Sequence, residues 1–149
     1  MKNTARQYLE SQVLTATKEQ LLIMLFDGAI RFSEQAKAKI DEKDIEGSCK
    51  FLIKAQRIMV ELIGSLNKET IGEEMYGNLV RLYNFVYFRL IQANVKKEVP
   101  LIDEALRILR HLRETWAQAV EKNRMEKFPE AELVGKAEKR ARSELNVSG

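Results

Sequence analysis

The sequence predicts an all-α protein: an antiparallel, up-down-up-down four-helix bundle with a short N-terminal helical segment and a C-terminal extension. Three observations carry this. Two prolines and seven glycines in 149 residues, with no proline before Pro100, cannot supply the frequent turns that a β chain needs. Apolar residues recur at helical spacing in four segments of similar length. The polar connections between those segments are roughly 3–6 residues long, which favours antiparallel neighbours. At 45% hydrophobic and 32% charged, the chain has enough apolar surface for one core and too much for a disordered polymer.

Each element has its own signal. Residues 4–14, within a mobile N-terminal segment 1–16, form a short amphipathic stretch, with Ala5, Tyr8, Leu9 and Val13 on one side, that cannot stay helical alone in water. Thr17-Lys18-Glu19-Gln20 has capping-box spacing and starts the first long helix, which runs to about Ile40, where IDEKD (40–44) supplies a polar turn. Asp44 caps a second helix reaching about Leu66. Thr70 and Glu73 repeat the capping-box spacing and open a third, ending near Asn94. NVKKEV then leads to Pro100, whose fixed φ suits a first helical turn, and the fourth helix runs to about Arg124.

The expected core stripes are Leu22, Leu25, Ala29, Ser33, Ala36 and Ile40; then Ile45, Cys49, Leu52, Gln56, Met59, Ile63 and Leu66; then Leu79, Tyr83, Val86 and Leu90; then Ile102, Ala105, Leu109, Leu112, Trp116 and Ala119. Residues 1–124 thus make the bundle domain. Residues 125–149, with five basic and five acidic residues and a thin stripe of Val134, Ala137, Ala141 and Leu145, read as a mobile or weakly helical extension.

Composition excludes several functions. Cys49 and His111 are the sole cysteine and histidine, which rules out an internal disulfide, a Cys/His zinc site and a paired-His di-iron bundle. There is no Gly-rich phosphate loop and no Ser/Cys–His arrangement, so neither an enzyme nor a cofactor is expected. An enzyme would need Asp27 as a buried acid, or Arg31 or Arg57 in a closed pocket. The net charge of +3 is spread with alternating signs. Arg107, Arg110 and Arg113 interleave with Asp103, Glu104 and Glu114, so no nucleic-acid stripe forms. The longest apolar run, Leu21 to Phe26, is far short of a membrane span. With no apolar h-region at the N-terminus, a cytoplasmic location without membrane insertion is expected.

Two segments carry more apolar residues than a bundle helix needs: Gln20 to Ile30, and Leu79 to Ile91, where only Arg81, Asn84 and Arg89 are strongly polar. Leu82 and Phe85 form a second row on the third helix; Phe51, Ala55, Ile58 and Leu62 form one on the second. Either these helices are central and bury more than one face, or they line a groove that receives an apolar partner helix. In the second case the candidate partner-binding residues are Met24, Phe51, Ile58, Leu62, Leu82 and Phe85. Tyr8, Leu9 and Val13 would then belong to a mobile lid over the groove, or to a docking handle. The sequence leaves a homodimer open.

The same residues carry a family resemblance. YLESQVLTATKEQLLIMLFDGAIRF (8–32), KAQRIMVELIGSLN (54–67), NLVRLYNFVYFRLIQAN (78–94) and LRETW (112–116), taken in that order, resemble the flagellin-specific export chaperones of the FliS family. The resemblance spans roughly residues 4–120 and gives nothing for the extension. It implies a cytosolic four-helix chaperone that binds the C-terminal region of flagellin, prevents premature polymerisation and escorts it to a membrane component of the flagellar type III export gate. It implies no ATP and no metal.

Overall fold

A computed structural model of the chain describes residues 2–127, and these contain helices and no strand. The elements are α1 (Lys2–Thr15), α2 (Lys18–Asp41), α3 (Ile45–Ser65), α4 (Lys68–Ile71), α5 (Glu73–Lys96) and α6 (Val99–Lys127). The chain divides into two compact units, Met1–Glu114 and Thr115–Gly149.

The helix starts follow from local chemistry. Thr17 accepts from the Gln20 amide at 3.1 Å while the Gln20 side chain accepts from the Thr17 amide at 2.9 Å, which completes the capping box. Asp44 accepts from the Gly47 amide at 2.9 Å, satisfying one of the donors that a helix N-terminus leaves open. Replacing Asp44 by Ala should therefore cost about 1 kcal/mol, read as a lower urea midpoint with an unchanged slope. The third start differs from the sequence reading. Thr70 caps nothing: Asn67 Oδ1 accepts from the Glu69 and Thr70 amides and closes the single turn of α4. Gly72, at φ +87°, then redirects the chain through a region closed to side chains with a Cβ, and α5 begins without a side-chain cap.

Within Met1–Glu114, α2, α3, α5 and the α6 residues up to Glu114 form the bundle. α3 packs on both α2 and α5. Three ion pairs join α2 to α6: Asp27–Arg113 at 2.9 Å, Glu34–Arg110, and Lys37–Asp103 at 2.7 Å. Numbers rise on α2 as they fall on α6, so these helices run antiparallel. Arg89–Glu104 joins α5 to α6 and closes the ring of neighbours. Across the middle, Phe26 of α2 meets Tyr83 of α5 edge to face, with ring centroids 6.0 Å apart; both are fully buried. Around them lie Leu52, Met59, Leu62, Leu90, Ile102, Leu106 and Leu109.

The stripes of α2, α5 and α6 are largely as expected, though Phe26 displaces Leu22 and Leu25 as the fully buried residue on α2, and Leu106 joins the core of α6. The buried stripe on α6 ends at Leu112; Trp116 is half-buried and Ala119 exposed. On α3 the core face is rotated. Its buried residues are Ser48, Leu52, Ala55, Met59 and Leu62, whereas Ile45 is 69% exposed. Ser48 is tolerated inside because its hydroxyl donates to the Ile45 carbonyl at 2.8 Å, leaving no unpaired polar group.

In the second unit, Thr115–Gly149, the described residues belong to the end of α6, where Arg124 pairs with Glu121 at 2.9 Å. The expected extension beyond Lys127 lies outside the described residues.

Candidate functional site

Asp27 is exposed and bound to Arg113; Arg31 and Arg57 are exposed as well. Among the described residues no cluster of His, Cys, Asp and Glu could hold a metal. No described helix is long and apolar enough to cross a membrane. Lys37 is held above its ordinary value: the hydrogen bond it donates to Asp103 raises it, burial opposes this, and the Asp103 charge adds to the rise. A raised lysine favours the folded state fully below its usual 10.5, and that contribution fades as pH climbs through the raised value.

The candidate partner-binding residues do not form one patch. Met24, Phe51 and Ile58 are half-buried along the junction of α2 and α3. Phe51 stacks on Phe32 of α2 at 6.2 Å between centroids. Ile58 Cδ1 sits 3.0 Å from where a Cβ on Gly28 would be, so a glycine there permits the close approach of these helices. Leu82 and Phe85 instead lie on α5, where Arg89 covers the Phe85 ring at 4.6 Å and reaches Glu104 of α6. The α2/α3 and α5/α6 junctions share no helix in the ring, so they occupy opposite faces of the bundle.

Leu62 needs correction as a surface residue: it is fully buried, because the rotation of α3 turns its supposed second row into the core. Tyr8 and Val13 stand on α1, whose described side chains from Thr4 to Thr15 are all exposed. The Leu9 side chain lies outside those described.

Sequence reasoning missed several exposed apolar residues, three of which flank the candidate faces. Phe88 on α5 is 58% exposed and packs edge-on against Tyr87, and on α3 Ile53 and Val60 face solvent two turns apart. Phe88 completes an i, i+3 aromatic pair with Phe85, which is 40% exposed. That spacing is legible in the sequence, and only the rotation of α5 was needed to see it. Polar control differs between the faces: at the α5/α6 junction Arg89 Nε and Glu104 Oε2 lie 2.6 Å apart, both shielded from solvent, in a charge pairing without hydrogen-bond alignment.

Apolar surface thus lies at two helix junctions. Similarity to known proteins gives the family. The chain is 32% identical over 127 residues to the flagellar secretion chaperone FliS of Bacillus subtilis, covering 85% of this chain and 93% of that one. It is 34% identical over 119 residues to the FliS chaperone of Salmonella typhimurium, covering 79% and 87%. A solved bacterial flagellar chaperone shares the fold with a TM-score of 0.66 at 21% identity, over 81% of this chain and 98% of that one. Residues 1–123 match the family of the flagellar protein FliS, and the chain belongs to that family.

Proposed function

We propose that this protein is a cytoplasmic export chaperone that binds the C-terminal region of flagellin, prevents its premature polymerisation and delivers it to a membrane component of the flagellar type III export gate. The match of residues 1–123 to the FliS family carries this reading. Exposed Phe85 and Phe88 on α5, and half-buried Met24, Phe51 and Ile58 between α2 and α3, supply apolar surface on two faces. A client long enough to wrap the bundle reaches both. Action is stoichiometric capture: the client buries its apolar helical residues on the chaperone, and the entropy it loses on ordering keeps release within reach. Tyr8, Leu9 and Val13 on α1 provide a separate contact, either as a lid that moves onto a vacant junction or as a handle for the export machinery.

Titrating a flagellin C-terminal fragment into the full chain tests the proposal. One-to-one binding with a negative heat-capacity change is expected, together with a gain of helix by the fragment. Absence of heat at tens of micromolar overturns it. Equal binding of unrelated amphipathic helices would favour a generic adaptor.

A further inference from the structure

The two faces differ in charge, and the difference traces to where the carboxylates of α2 point. Asp27 and Glu34 are directed to α6 and taken up by Arg113 and Arg110. Glu42 and Asp44 sit at the turn and pair with Lys39. What remains beside the α2/α3 junction is cationic. Arg31 lies 5.1 Å from the Phe32 ring centroid, and Lys54 lies 5.3 Å from Phe32 and 5.7 Å from Phe51. Neither cation has a carboxylate oxygen within 4.0 Å among the described residues. Lys50 and Arg57, one turn to either side of Lys54, have none either. The acids of α3, Glu46 one turn before Lys50 and Glu61 one turn after Arg57, lie within 4.0 Å of none of these cations. At the opposite junction, by contrast, Arg89 is already neutralised by Glu104.

We infer that the α2/α3 face takes an acidic amphipathic helix, with its apolar side chains seated along Met24, Phe32, Phe51 and Ile58 and its flanking carboxylates meeting Arg31 and Lys54. A cation above a ring keeps its N–H donors free for a second partner. Apolar contact alongside excludes water and strengthens the charge pairing. The chain's own α1 is a poor occupant, since it carries Lys2 and Arg6 against one acid, Glu10, which Arg6 already holds at 3.3 Å. This inference rests on the client-binding reading for the existence of a helical partner; the sign of that partner's charge comes from the α2/α3 face alone.

The test uses two synthetic helical peptides with identical apolar positions, flanked by Glu in one and Gln in the other, titrated into the full chain at low and high salt. The Glu peptide is expected to bind roughly threefold to tenfold tighter at low salt, with the advantage lost at high salt. The double variant Arg31→Glu/Lys54→Glu should abolish the preference, and Arg31→Gln/Lys54→Gln should reduce it; both keep the helical circular dichroism because these side chains lie outside the core. Equal affinity of the two peptides, binding of neither, or a preference that survives charge reversal overturns the inference. So does a dimer of the chain alone that dissociates on charge reversal, which would seat a second copy on this face. A flagellin fragment run in parallel separates the two readings: binding indifferent to charge reversal leaves the chaperone function standing and removes the acidic-helix inference. Charge-dependent peptide binding without fragment binding does the opposite.

Discussion

Replacing Phe26 by Ala lowers the thermal unfolding midpoint by about 10–20 °C. The side chain is fully buried and meets Tyr83 edge to face across the bundle, so its removal loses apolar transfer energy and leaves a cavity between two diagonal helices. Large-to-small changes of this kind cost about 3–5 kcal/mol, and each kilocalorie shifts the midpoint of a domain this size by roughly 3–5 °C. Scanning calorimetry reads the result. A shift under about 3 °C would mean that the helices collapse to fill the space, and that the diagonal contact is not the centre of the core.

The second large effect is on binding. Phe85→Ala should weaken the complex with a flagellin C-terminal fragment by roughly thirtyfold, about the 2 kcal/mol of an aromatic anchor, while moving the unfolding midpoint by only a few degrees. The ring is 40% exposed, lies under the Arg89 guanidinium and sits one turn from Phe88. It therefore contributes more to a partner's contact surface than to the core. Titration calorimetry decides, and an unchanged affinity would remove the α5 face from the client surface.

Much of this architecture could be read from the chain. Thr17 with Gln20, and Asp44 at the next start, name their roles through residue type and spacing, and Pro100 marks the last helix. These are local signals, complete within one turn. What escaped was rotational. α3 is apolar on adjacent rows, so its periodicity fixes the helix without choosing which row faces inward. The inward row contains Ser48, whose hydroxyl looks costly to bury until its bond to the Ile45 carbonyl is known. Placing Ile45 inside and Leu62 outside followed from that. The same ambiguity hid the division of the candidate site. Phe51 and Phe85 both looked like residues beside a core row, and only the order of helices around the bundle sets them on opposite faces. At Thr70 the spacing was right and the context wrong, since Gly72 turns the chain away before a cap could form.

The ion pairs between α2 and α6 contribute little as isolated surface contacts, yet their order has a separate effect. Along α2 the signs run Asp27, Glu34, Lys37, and along α6 they answer with Arg113, Arg110, Asp103. Were α6 to slip by one turn in one direction, Arg110 would come opposite Lys37; a one-turn slip the other way would bring Asp103 against Glu34. The sequence of signs thus works as an address that only one alignment satisfies, penalising the sliding to which two smooth apolar faces are otherwise indifferent. Salt screens that address, so refolding in concentrated salt should pass through more misaligned chains even where the final stability is unchanged.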